Sequence, residues 1–370
     1  VKVLLTGGGT GGHLFPAIAI AEEILRQKPE ANIAFAGTER GIEATEVPKR
    51  NFTLHLISAV ALKRGVSVQS FFENLKFPFR LKQSLNEAEE LLFQEEPDVV
   101  VGTGGFVSFP VMWAAQDLGI PTLVQEQNSK PGWATRLLAG RAEEVHLSFE
   151  ESRRYFSKRV PCINTGNPTR RFEPASPEVA RRFFKVDSTR KTLLVFGGSL
   201  GARSLNTAIE TRLDDLLDRV NLIWQIGKTD FQTLASRIQA RENLWFSAFI
   251  DRMDLAYSAA DLVLCRAGAS TIAELLNMGM ASVLVPYPFA ADNHQYFNAK
   301  ALSDKGAAVL IPNDEVGSER AYKQILSLIE NDAKREAMKE VARKLGKPNA
   351  AKEIAESVIR LASHKKVAHA

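Results

Sequence analysis

Short runs of aliphatic and β-branched residues alternate along this chain with longer stretches in which apolar positions recur every three or four residues. VKVLL, NIAFAG, DVVVG and PTLVQEQN in the first half, and KTLLVFGG, NLIWQIG, DLVLC and ASVLVPY in the second, have the length and residue choice of buried strands. Alternation of such strands with amphipathic helices predicts an α/β chain of parallel sheets covered by helices. A strand running straight into glycines occurs in both halves, as VLLTGGGTGGH from Val3 and LLVFGGSLGAR from Leu193, and more weakly in VVVGTGGFVSFP. Each half therefore starts a doubly wound, Rossmann-like sheet of its own.

Between the halves, RVPCINTGNPTRRFEPASPEVARRFF is proline-rich, charged and without clean periodicity, as an interdomain connection would be. The boundary is placed near Pro161, giving a first domain of 1–161 and a second of 162–344. In the last stretch, Ile354, Val358 and Leu361 share one face of a helix that Asn349 could cap. The 370 residues, 45% hydrophobic and 24% charged, suffice for two cores. A net charge of +4 favours anionic partners without singling out nucleic acid, and no nucleic-acid partner is expected. Cys162 and Cys265 are too few for a disulfide framework and lack the neighbours of a metal site, so reduced thiols are expected. With the first strand beginning at residue 1 and the glycine loop at Gly7, no signal peptide is expected within this stretch. No apolar run approaches the roughly 18 residues of a membrane span, so any membrane contact is expected to be peripheral.

Chemistry concentrates at the glycine junctions. Glycine-rich backbone can approach a ligand closely, and the helix behind it offers unpaired N–H groups and the positive end of a dipole, which suits phosphates and developing anions. Gly7, Gly9 and Gly12 satisfy G-x-G-x-x-G, but the acid a dinucleotide site needs after the second strand is replaced by Gly37 and Thr38 ahead of Glu39. His13 could be a packed or solvated helix-start residue. At a helix N-terminus it would also stay neutral and able to take a proton. In DLVLCRAGASTIAELLNMG, a helix starting near Ser270 could hold a phosphate, with Glu274 on a ribose diol and Arg266 near a diphosphate. Thr271 and Glu274 equally have capping-box spacing. In FAADNHQYFNA, Asp292, Asn293, His294 and Gln295 could cap a helix, or Gln295 could read sugar hydroxyls. From Lys63 to Lys82, aromatics interleave with cations, including Phe71, Phe72, Leu75, Lys76, Phe77, Phe79 and Arg80. That pattern suits an anionic membrane surface or single-stranded nucleic acid, or a half-buried helix with snorkelling lysines.

The segments GGGTGGHLFPA, GTGGFVSFP, QEQNSKPG, TGNPTRRF, GGSLGARSLN, CRAGASTIAE and DNHQYFNA, in this order, resemble the MurG family of bacterial peptidoglycan glycosyltransferases. The resemblance implies a GT-B fold, two Rossmann-like domains facing across a cleft, with the final helix near 345–363 returning to the first. It implies an inverting hexosyltransferase, without metal or cofactor, that moves N-acetylglucosamine from UDP-N-acetylglucosamine to the muramyl 4-hydroxyl of lipid I, forming lipid II. The first domain would take the acceptor and the membrane, and the second the UDP-sugar. Carried over by position, Thr10, Gly11 and Gly12 lie at the cleft mouth and His13 is the suggested general base. Asn128 and Gln295 contact the donor sugar, and Arg170 and Ser199 lie near the diphosphate. Ile250 meets uracil through its backbone, and Ala269, Ser270, Thr271, Ile272, Ala273 and Glu274 form the phosphate and ribose cradle. Gly8, Gly9, Gly104 and Gly105 would clear space for the acceptor's diphosphate, and the basic aromatic stretch would dock on the cytoplasmic face of the inner membrane. Phe106 stands where the family often has tyrosine, and Ser270 where it often has leucine.

Overall fold

The computed structural model describes residues 1–59 and 77–368, with side chains through 363. It divides into two compact units, Val1–Arg170 with Lys347–Ala370, and Arg171–Gly346.

In the first unit, β1 (Lys2–Gly7), β2 (Asn32–Gly37), β3 (Thr53–Leu56), β4 (Val99–Gly104), β5 (Thr122–Glu126), β6 (Glu144–Leu147) and β7 (Cys162–Ile163) form one parallel sheet. The spatial order is β3-β2-β1-β4-β5-β6-β7. The central strands are buried almost end to end, as continuous aliphatic runs must be when helices cover both faces. One face packs Val3, Leu5, Val99 and Val101 against Leu14, Ile20 and Ile24 of helix Gly11–Gln27. Ile354, Ala355, Val358 and Ala362 of the final helix, Ala350–Ala368, join that same core. Burial of Ile354 and Val358 stabilises this docking by about 1.5–3 kcal/mol per side chain. The opposite face packs against helices Phe77–Glu95, Ser108–Asp117 and Trp133–Ala139.

In the second unit, β8 (Thr192–Phe196), β9 (Asn221–Gln225), β10 (Leu244–Ser247), β11 (Leu262–Cys265), β12 (Ser282–Leu284) and β13 (Ala308–Leu310) form a parallel sheet in the order β10-β9-β8-β11-β12-β13. Leu193, Val195, Leu222, Trp224, Leu262 and Leu264 build a core with helices Arg203–Thr211 and Glu319–Glu330.

The division falls at Arg170–Arg171 rather than at Pro161. Beyond Pro161 the chain still adds β7 to the first sheet, and Thr165 and Asn167 are buried there. Thr165 Oγ1 lies 3.2 Å from His146 Nδ1, and Asn167 Oδ1 accepts from Gln125 Nε2 at 3.4 Å. The proline-rich text thus begins with a structured strip. Both cysteines are free thiols, and Cys265 is fully buried.

Candidate functional site

In an open parallel sheet, ligands bind beyond the carboxyl ends of the strands, where the strand order reverses direction. That point lies between β1 and β4 in the first unit and between β8 and β11 in the second. Most of the residues singled out in the sequence fall at these two edges or in the loops beside them.

After β1, Thr10 occupies the N-cap position without a side-chain cap bond, Gly11 opens the helix, and His13 sits in its first turn. His13 Nδ1 lies 3.1 Å from the Thr103 carbonyl oxygen and 3.0 Å from Gln127 Oε1. The Thr103 hydroxyl in turn donates to the His13 carbonyl at 2.8 Å, fastening β4 to the helix start. A Cβ on Gly104 would stand 2.8 Å from His13 Nδ1, so the bare backbone makes room for the ring. Phe106 faces Gly9, with its ring 2.8 Å from where a Gly9 Cβ would be.

The first glycine loop is tied down by a residue to which no motif in the sequence points. Glu43, buried, accepts from the Gly9 N–H at 2.9 Å, the Thr38 N–H at 3.0 Å and the Thr38 hydroxyl at 2.8 Å. Glu43 opens the short helix Glu43–Glu46 after β2, and its carboxylate braces the loop. The Gly9 amide is therefore already engaged.

Asn128 follows β5. Its backbone N–H and side-chain amide both point to Glu126 Oε1, at 2.8 Å and 3.3 Å. Burial holds the Glu126 carboxyl up at about 7, against the opposing donors from Asn128, Thr135 and Gly132. Arg170 is exposed at the end of the first unit.

In the second unit, Ser199 is exposed in the loop after β8, and its carbonyl accepts from the Lys228 N–H at 3.2 Å. That loop packs against the one after β9 at Gly201 and Gly227, where a Cβ on Gly227 would stand 2.1 Å from the Gly201 backbone. Ile250 is buried, and its N–H donates to Gln225 Oε1 at 2.9 Å, so its carbonyl is the backbone group left to meet a base.

The helix expected from Ser270 spans Ala269–Asn277, with Gly268 at its N-cap and no side-chain cap bond. Its first-turn N–H groups are the unpaired donors of a helix start. The capping box between Thr271 and Glu274 does not form. Glu274 Oε2 accepts instead from the Tyr257 hydroxyl at 2.8 Å. Ser270 Oγ is buried and has no hydrogen-bond partner among the described residues. Ile272 is buried in the core, so any ligand contact there is through backbone, whereas Ala273 is half-buried.

Arg266 is a brace. Its guanidinium donates to the carbonyls of Val285 and Pro286, each at 3.1 Å, to Asn313 Oδ1 at 2.7 Å and to Ser204 Oγ at 3.0 Å. After β12, Gln295 Oε1 accepts from the Tyr287 N–H at 2.9 Å and does not cap the next helix. Asp292 and Asn293 are left-handed, with φ of 52° and 56°, and Asn293 at the N-cap makes no side-chain cap bond.

Phe71, Phe72, Leu75 and Lys76 lie outside the described residues. Phe77, Phe79 and Arg80 open helix Phe77–Glu95, with Phe79 80% exposed and Arg80 also exposed. Among the described residues no helix is long and apolar enough to cross a membrane.

Family models match both units: the glycosyltransferase family 28 N-terminal domain over residues 3–147 and the glycosyltransferase family 28 C-terminal domain over 192–355. The UDP-N-acetylglucosamine–N-acetylmuramyl-(pentapeptide) pyrophosphoryl-undecaprenol N-acetylglucosamine transferase of Prosthecochloris aestuarii is 46% identical over 99% of this chain and 100% of its own length. The enzyme of the same description from Chlorobaculum tepidum is 49% identical over 98% of this chain and 99% of its own. The crystal structure of Acinetobacter baumannii MurG superposes with a TM-score of 0.76 at 30% identity, covering 97% of this chain and 99% of that one. The UDP-GlcNAc 2-epimerase of Neisseria meningitidis, at 15% identity and a TM-score of 0.63 over 97% of this chain and 100% of its own, shares the fold.

Proposed function

The chain belongs to the MurG family of glycosyltransferase family 28, and on that premise we propose how its residues carry out the family's transfer. It is a UDP-N-acetylglucosamine-dependent N-acetylglucosaminyltransferase of peptidoglycan synthesis that converts lipid I to lipid II. The observation that carries this is the extent of the likeness, 46% and 49% identity running through both units over 99% and 98% of the chain.

The second unit binds the donor. First-turn amides of helix Ala269–Asn277 meet the diphosphate, where a helix dipole opposes negative charge most effectively. Glu274, steadied by Tyr257, accepts from the ribose diol. Gln295 reaches the sugar, Ser199 stands near the diphosphate, and the Ile250 carbonyl takes the uracil N–H.

The first unit presents the acceptor. Its muramyl hydroxyl attacks the anomeric carbon while the bond to UDP breaks with its electron pair, so the α-linked donor gives a β-linked product. The hydroxyl proton passes to His13. The charge growing on UDP is stabilised by the oriented N–H groups of the helix start. Thr10, Gly11 and Gly12 lie beside His13 at the substrate, and Gly8, Gly104 and Gly105 are bare because Glu43, the His13 ring and the Gly8 carbonyl fill the space that their side chains would need. Phe79 and Arg80 continue the basic aromatic stretch that rests on the anionic cytoplasmic face of the membrane.

UDP release tests the reading against donor hydrolysis or epimerisation. With UDP-N-acetylglucosamine alone the protein should release no UDP, and adding a lipid I analogue should start release. Release at equal rates without acceptor would make it a hydrolase.

A further inference from the structure

We propose that Gln127 is the positioning residue that holds His13 as the Nδ1–H tautomer and so makes Nε2 its basic nitrogen. The inference deepens the reading of His13 as general base and rests on it for its catalytic consequence.

The His13 ring nitrogen Nδ1 faces two oxygens, the Thr103 carbonyl at 3.1 Å and Gln127 Oε1 at 3.0 Å. A carbonyl and an amide oxygen can only accept, so the proton belongs on Nδ1, provided that Gln127 points its oxygen toward the ring. The other end of the same amide decides that. Gln127 Nε2 donates to the Thr103 carbonyl, to the Gln125 carbonyl at 3.1 Å and to Gln125 Oε1. Two of these acceptors are backbone and cannot turn over. A flipped Gln127 would put its oxygen against them, and with Gln127 and Gln125 only 2% and 1% exposed, no water offsets the loss. Gln125 continues the same head-to-tail sense, its Nε2 donating to Ser148 Oγ at 3.0 Å.

The amide does more than satisfy a buried donor. A histidine in water distributes its proton over both nitrogens, whereas a base must present one lone pair in one place. With Nδ1 held inward between β4 and β5, Nε2 lies on the opposite side of the ring. Gly104 keeps the space that the ring occupies, since a Cβ there would stand 2.8 Å from Nδ1.

The test uses the full chain labelled with 15N-histidine, the His13 signals being identified by their loss in His13→Gln. In the unsubstituted protein, neutral His13 should carry its proton on Nδ1. Gln127→Leu leaves the Thr103 carbonyl as the remaining oxygen at Nδ1, so part of the proton population should move to Nε2 and kcat should fall by about twofold or more, with KM for UDP-N-acetylglucosamine unchanged. A proton on Nε2 in the unsubstituted protein overturns the proposal even if no variant folds. So does Gln127→Leu with an unchanged signature and unchanged kcat. Full turnover in His13→Ala would instead defeat the base assignment and leave the tautomer result standing.

Discussion

Gly105 meets Gly8 backbone to backbone: a Cβ on Gly105 would stand 2.3 Å from the Gly8 carbonyl oxygen, and Gly105 has a φ of +83°. The loops after β1 and β4 can therefore approach as they do only if residue 105 has no side chain. Gly105→Ala should cost about 2 kcal/mol or more, combining left-handed strain with a clash against backbone that cannot move aside cheaply. Urea unfolding followed by circular dichroism checks this. An unchanged midpoint would mean that the two loops separate without cost.

The final helix is tied to the first sheet by Glu144, which pairs with His146 Nε2 at 3.0 Å and with Arg360. The His146 hydrogen bond, helped by Ser357 and Arg360, lowers the Glu144 carboxyl from 4.5 to about 2. A carboxyl depressed on folding contributes stability above its unfolded value and loses it as pH falls through the folded one. The stabilisation should thus be complete above about pH 4.5 and decline toward pH 2. Glu144→Gln should be less stable than the unsubstituted protein at pH 7 and converge with it near pH 2 in thermal melts.

Tyr257 is buried and donates to Glu274 at 2.8 Å. Removing that hydroxyl leaves the carboxylate less well aimed. Tyr257→Phe should raise KM for UDP-N-acetylglucosamine about fivefold, near 1 kcal/mol, with a smaller change in kcat. Initial-rate kinetics at saturating acceptor separate the two parameters, and an unchanged KM would release Tyr257 from this role.

How much of this was legible in the sequence depends on how local the signal is. The strands β1, β2, β4, β5, β8, β9, β11 and β12 announced themselves because they are buried on both faces and therefore aliphatic throughout. β3, β7, β10 and β13 lie at sheet edges, and β7 and β13 are too short to carry a period. β6 reads as polar because Glu144 and His146 pair with each other and with Thr165 and Arg360, partners far along the chain. The same limit applies at the site. His13 is legible beside its glycines, but Glu43 reaches Gly9 across 34 residues and Gln127 reaches His13 across 114. No local pattern encodes either contact, nor the bracing of Arg266, whose acceptors lie in the segment after β12 and at Asn313.

Phe79 and Arg80 are exposed on the helix that continues the basic aromatic stretch. Serine at Phe71, Phe72, Phe79 and Arg80 together should weaken sedimentation with anionic liposomes by at least about tenfold while UDP affinity stays the same. Equal liposome binding by the variant would remove this stretch from the membrane contact.

Radiolabelled UDP-N-acetylglucosamine incubated with a lipid I analogue in excess chelator measures the central claim. The account predicts that label moves into the lipid fraction, one UDP released per sugar transferred, and that His13→Ala abolishes the transfer while UDP still binds. Label left in the aqueous phase, or transfer that stops in chelator and returns with magnesium, would contradict it.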